Sequence, residues 1–156
     1  MRLVLDTDVL LSALRSPTGA SRILVIAAWE GAVVLPASVA MMFEYEAVLK
    51  RSDHLAATGL NAAEVDRFLD HWAGLVEPVV AHYSWRPTIR DANDEIFVEA
   101  AVNGAADMIV TFNVSDYQPA DGRQGSLGIE VCRPGDALRR MTWRPSATTL
   151  SAFRPR

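Results

Sequence analysis

Arg2-Leu3-Val4-Leu5-Asp6-Thr7-Asp8-Val9-Leu10-Leu11-Ser12-Ala13-Leu14 is the stretch that decides the fold. Its opening is a short apolar run that stops at an acid, the pattern of a parallel strand buried on both faces. Residues 9–14 then continue as one or two helical turns. Working outward, the same alternation of strand and helix recurs. Breakers at Ser16, Pro17 and Gly19 mark a loop. A helix over 21–30 closes at Gly31, and 32–35 reads as a second strand. Pro36 suits the first position of a helix running to about residue 51.

Asn61, with Glu64 three residues on, predicts a capped helix to about residue 72. The run 75–80 contains Pro78, which has no N–H for a ladder, and is expected to be an interrupted or edge strand. A polar loop over 90–94 leads into a helix from Asp94 to about residue 103, stopped by Gly104. Residues 107–111 form the third clear strand. A flexible loop is expected over 122–128, a last strand over 129–132, and a final helix from Pro134 to about residue 141. The expectation is one domain over 1–142, with 143–156 a basic and disordered tail. Apolar strands alternating with helices imply an α/β fold, a three-layer α/β/α sandwich around a central parallel sheet.

Bulk properties narrow the function classes. At 156 residues the chain supports a core without disulfides. The lone Cys132 excludes an internal disulfide and suits a reducing compartment. Asp6 and Asp8 interrupt the first apolar run, so it does not read as a signal peptide. No apolar stretch approaches the roughly 18 residues of a membrane span. A cytoplasmic protein without membrane contact is expected. The net charge of −4 argues against holding nucleic acid by bulk electrostatics. Arginines nevertheless gather at 133, 139, 140, 144, 154 and 156, against the single acid Asp136, while Lys50 is the only lysine. That end is either a solvated tail or a contact for RNA or an acidic partner.

In open parallel sheets ligands bind beyond the carboxyl ends of the strands. Asp6 ends the first strand, Asn113 and Asp116 follow the 107–111 strand, and Asp94 lies on a loop that reaches the same edge. Carboxylates gathered there raise one another's pKa unless something compensates. A hard cation such as Mg²⁺ or Mn²⁺, with oxygen ligands and retained waters, is the common answer. Plainer readings exist for each acid. Asp6 suits the cap of the following helix, and Asp91 and Asp94 have capping-box-like spacing, at N-cap and N3. Asp8 and Asp107 suit structural roles. Glu44 and Glu46 share one helix, and periodicity favours Glu46, which falls on the arc of Val39, Met42, Phe43 and Leu49. His54, His71 and His82 lack zinc-like spacing, and there is neither a glycine-rich phosphate loop nor a nucleophile elbow.

Four blocks carry a resemblance. Val4-Leu5-Asp6-Thr7-Asp8 before a helix, Glu44-Tyr45 followed by Val48-Leu49 and Arg51, Arg90-Asp91-Ala92-Asn93-Asp94 with Phe97, and Ala106-Asp107-Met108-Ile109-Val110-Thr111-Phe112-Asn113 stand in the order and spacing of PIN domains. The chain resembles that family over about 2–140. The resemblance implies Mg²⁺- or Mn²⁺-dependent cleavage of RNA. Among the closest relatives it implies a VapC-like toxin, often a homodimer, inhibited by a small antitoxin protein. By block alignment the metal-holding and catalytic acids are Asp6, Glu44 and Asp94, which favours Glu44 over Glu46. Asp8 stands where the family usually has Asn, and Asn113 where a fourth aspartate is usual. Asn113 then acts through water, or Asp116 serves as the metal ligand in its place. One metal and three acids is the central expectation.

Two alternatives stand beside it. One is a degenerate PIN domain that binds RNA or a protein without cutting, to which Asn113 lends weight. The other is a haloacid-dehalogenase-like phosphatase, since Leu5-Asp6-Thr7-Asp8-Val9 fits a D-x-D-x-[TV] motif, with Asp6 as nucleophile and Asp8 as acid/base. Those enzymes place a lysine and an acidic pair after the Thr/Ser strand, and here Lys50, Asp91 and Asp94 all come earlier.

Overall fold

The computed structural model describes residues 1–80, 89–119 and 128–145. The expected loop over 122–128, apart from Gly128, and most of the expected tail fall outside those residues. β1 (Leu3–Leu5) pairs in parallel with β4 (Met108–Val110), and β4 with β5 (Glu130–Cys132). β2 (Leu35–Ala37) pairs in parallel with β3 (Val76–Pro78). A single parallel bridge, Arg2 to Val34, joins the two ladders. The continuous apolar runs noted in the sequence follow from burial: Leu3, Val4, Ile109 and Val110 are fully inaccessible, as strands covered on both faces must be.

The helices are α1 (Thr7–Arg15), α2 (Ala20–Trp29), α3 (Val39–Leu49), α4 (Ser52–Thr58), α5 (Ala62–Ala73), α6 (Glu95–Asn103) and α7 (Pro134–Arg140). α6 packs on β1, β2 and β4, while α7 packs on β4 and α2, and α3 lies against α1, α5 and α6. The result is the expected α/β sandwich around a parallel sheet. No single helix among the described residues is long and apolar enough to cross a membrane. Trp143 donates its indole N–H to Glu30 at 3.0 Å and packs against the core.

Three local expectations are corrected. Pro36 does not start a helix; it sits in the middle of β2, and α3 begins after Ser38, whose hydroxyl accepts from the Met41 amide at 3.3 Å. A serine cap outcompetes proline's preference for a first turn, because it satisfies an amide the helix cannot. Without an N–H, Pro36 cannot extend the β1–β2 ladder past the Arg2–Val34 bridge. Second, the buried stripe of α3 is Met41, Tyr45 and Leu49, whereas Val39 and Phe43 are 70% and 67% exposed. The apolar arc expected around Glu46 is therefore the outer face in its first turns. Third, α4 was not foreseen: it has seven residues, none of them buried, so it lacks the apolar period that betrays a helix. The capping box at Asn61 and Glu64 is present as expected.

Candidate active site

Asp6 directly follows β1, and its amide donates to the Val110 carbonyl at 2.9 Å, so the ends of β1 and β4 lie side by side. Asp6 occupies the N-cap position of α1 but its side chain does not cap the helix. Both hydroxyl donors that reach it land on one oxygen: Thr111 Oγ1 donates to Asp6 Oδ2 at 2.7 Å and Tyr117 Oη at 2.9 Å. Oδ2 is thereby held in place by both hydroxyls. Tyr45 steadies the same corner by donating its buried hydroxyl to the Leu5 carbonyl at 2.5 Å. Asp8 Oδ2 accepts from the Phe112 amide at 2.9 Å, while Asp8 Oδ1 and the Thr7 hydroxyl are buried without a partner among the described residues. Orphaned polar atoms beside a cluster of acids mark a place built to receive something polar.

A second segment brings the remaining aspartates. The loop before α6 is laced to the single 3₁₀ turn Val114–Tyr117 and the residues after it. Ile89 bridges Pro119, the Arg90 amide donates to the Gln118 carbonyl at 2.9 Å, and the Asp91 amide to the Asp116 carbonyl at 3.2 Å. Fully buried Glu95 holds the loop from below by accepting the Ile89 amide at 3.0 Å. Carboxylate oxygens of Asp91, Asp94 and Asp116 consequently lie within 4.8 Å of one another. The expected capping box does not form. Asp91 accepts the Asn93 amide at 2.9 Å within a tight turn, and Asp94, now at N-cap, makes no cap bond. Its carboxylate turns instead to the other acids.

Electrostatics joins the two groups. Burial, then the charges of Asp6, Asp91, Asp116 and Asp8, push Asp94 up to about 7. Burial and then Asp6 push Asp8 to about 6. Asp6 is raised by burial, against the pull of its bonds from Thr111 and Tyr117. Burial first, with Asp6 next, holds both Tyr45 and Tyr117 well above the ordinary phenol range, so their hydroxyls keep their protons and stay donors. Among the described residues no arginine or lysine pairs with any of the five aspartates. Their repulsion calls for a cation from outside the chain. Oxygen-only donors, several of them anionic, with orphaned polar atoms alongside, suit Mg²⁺ or Mn²⁺.

The other sequence candidates fall as follows. Glu44 is half-buried on α3 next to Tyr45, and no hydrogen bond or ion pair among the described residues links it to the aspartates. Glu46 is taken up by Lys50 at 2.7 Å, which also holds Asp66, on the α3–α5 surface. Asn113 is exposed; its amide donates to Thr111 Oγ1 at 3.0 Å and its carbonyl accepts from Asp116. Asp107 accepts the Arg2 amide at 2.7 Å, a structural bond at the opposite end of β1. Thr111, Tyr117, Tyr45 and Glu95 were not singled out from sequence. Tyr45 could have been, since it falls at the centre of the 41/45/49 stripe.

A family profile described as PIN domain matches residues 2–115. Comparisons with curated proteins and with solved structures give no match. The matched span runs through β1, the loop before α6 and β4, and that sets aside the phosphatase reading of Asp6 and Asp8. Since it covers well over half of the sequence, the chain belongs to the PIN domain family.

Proposed function

We propose that the protein is a metal-dependent endoribonuclease that hydrolyses RNA phosphodiester bonds. The observation that carries this is the convergence of Asp6, Asp8, Asp91, Asp94 and Asp116, to which no arginine or lysine pairs among the described residues. Asp94, Asp91 and Asp116 would hold the ion with the carboxylate of Asp6, and Glu44 joins them by the family resemblance. When bound there, a divalent ion would supply an activated water and neutralisation of the charge that develops on a phosphodiester. Thr111 and Tyr117 fix the orientation of Asp6, and Tyr45 fixes the backbone that carries it. Asp94, pushed to about 7, is protonated in about half of the metal-free molecules at neutral pH and would give the proton up on binding, so affinity rises with pH. Asp116 supplies the carboxylate that Asn113 does not.

The test is cleavage of single-stranded and structured RNA with Mg²⁺, Mn²⁺ or EDTA. Cleavage with either metal and none in EDTA is expected. An inert protein that still binds RNA supports the non-cutting alternative, for which the neutral, exposed Asn113 speaks. We further propose a cytoplasmic toxin of a toxin–antitoxin pair, a homodimer inhibited by a small antitoxin. The support is the resemblance of the four sequence blocks, together with the apolar outer face of α3 at Val39 and Phe43. An adjoining reading frame for a small DNA-binding protein, and co-purification with its product, test that role.

A further inference from the structure

One recess opens beside Asp8, and a second adjoins it. The first is lined by Asp8, Ser12, Arg15 and Phe112. It shares Ser12, Ser16 and Phe112 with a second recess of about 600 Å³ that reaches Ser21 and Arg133. Together they make a groove leading from Asp8 past the Phe112 ring to the N-terminus of α2.

The ten-residue α2 starts at Gly19 with no side chain capping it and no acid in its first turn. Its first amides and its dipole are therefore free to meet an anion. Ser21, in that first turn, is 1% exposed and its hydroxyl has no partner among the described residues. Arg133 is exposed and lines the same recess with no acidic partner among the described residues, and Arg15 lies in the adjoining recess. Arg139 is also present, but Asp136 pairs with it and takes up its charge. A buried hydroxyl donor, uncapped amides and an unpaired guanidinium are the donor set of a phosphate site. Phe112 is 41% exposed, and its backbone amide donates to Asp8. An accessible ring between two polar subsites is a stacking platform for an unpaired base.

We propose that this groove binds the backbone of a single strand of nucleic acid, with a phosphate at Ser21 and Arg133 and a base on Phe112. The proposal rests on the nuclease reading for the strand's direction, because the neighbouring phosphate then lies at the aspartates. It also explains how a chain of net charge −4 retains a polyanion: the cationic contacts are local.

The experiment measures binding of a fluorescein-labelled 12-nucleotide single-stranded RNA to the full chain in EDTA, across a salt series. Phe112→Ala is expected to raise Kd about tenfold. Arg133→Gln should lower the slope of log K against log salt by about 0.7, one phosphate contact on a single strand. Ser21→Ala, which removes only the hydroxyl, should raise Kd about threefold. Unchanged Kd and slope in all three variants, with circular dichroism intact, would overturn the proposal. So would equal affinity for a blunt RNA duplex or displacement by a poly-glutamate peptide. Cleavage with Mn²⁺ is read separately on the natural protein. Binding that depends on the groove without cleavage would sink the nuclease reading alone, and cleavage with groove-independent binding would sink this proposal alone.

Discussion

The two ends of β1 meet charge in opposite ways. At the amino end, Arg2 is fully compensated. Its guanidinium forks onto Glu77 and donates through Nε to the Gly104 carbonyl at 2.8 Å, while its amide donates to Asp107 at 2.7 Å. That clamp ties β1 to β3, to the end of α6 and to the start of β4. At the carboxyl end, only three residues of strand away, acids gather and no described cation answers them. A fold that solves its charge problem at one edge and leaves it unsolved at the other has spent stability on the second edge. Charge balance thus separates architecture from chemistry more sharply than burial does.

Breaking the carboxyl end should cost activity rather than fold. Asp6→Ala and Asp94→Ala are expected to lower RNA cleavage by about a thousandfold or more, with unchanged circular dichroism. Loss of the folded signal instead would make these acids part of the architecture, like Asp107.

The same edge should also reveal itself through pH. A carboxyl group whose pKa is higher in the folded than in the unfolded protein favours folding only when protonated. Stability is therefore greatest below the unfolded value near 4 and is lost as pH rises through about 7 for Asp94. Asp94→Asn removes that loss. In EDTA its melting temperature should exceed that of the natural protein at pH 8 by several degrees, for an effect on the order of a few kcal/mol. At pH 5 the gap should shrink, and a gap independent of pH would contradict the assignment.

The amino end should break differently. A Cβ at Gly104 would sit 2.4 Å from Pro36 Cβ and 2.8 Å from the Ala100 carbonyl, both against rigid backbone or ring. Gly104→Ala should destabilise by about 1–3 kcal/mol through overpacking, read by urea denaturation, with cleavage per folded molecule unchanged. The smallest effect is expected at Asn113. Asn113→Asp should retain or modestly raise cleavage, because it adds a carboxylate beside a site already supplied by Asp116. Inactivity of that variant would give the amide a specific role.

The sequence was legible where one interaction dominates. Buried parallel strands leave apolar runs, so β1 and β4 stood out, and Asn61 with Glu64 announced α5. Asp6 and Asp94 were readable because their blocks sit at element ends. The spacing of Asp91 and Asp94 fits a capping box as well as a tight turn, because the two share the same residue types. Its place beside Asp116 depends on lacing between segments some 25 residues apart, which no local pattern encodes. Thr111 and Tyr117 were missed for the same reason: a buried hydroxyl donor looks like any strand-end or turn residue until its acceptor is known.

The most direct test is a Mn²⁺ titration of EDTA-stripped protein followed by electron paramagnetic resonance, which reports the ion whether or not any RNA is cut. The account predicts saturable binding that is abolished in both Asp6→Asn and Asp94→Asn and weakens as pH falls below about 7. Binding of equal strength in Asp94→Asn, or none in the natural protein, would contradict it.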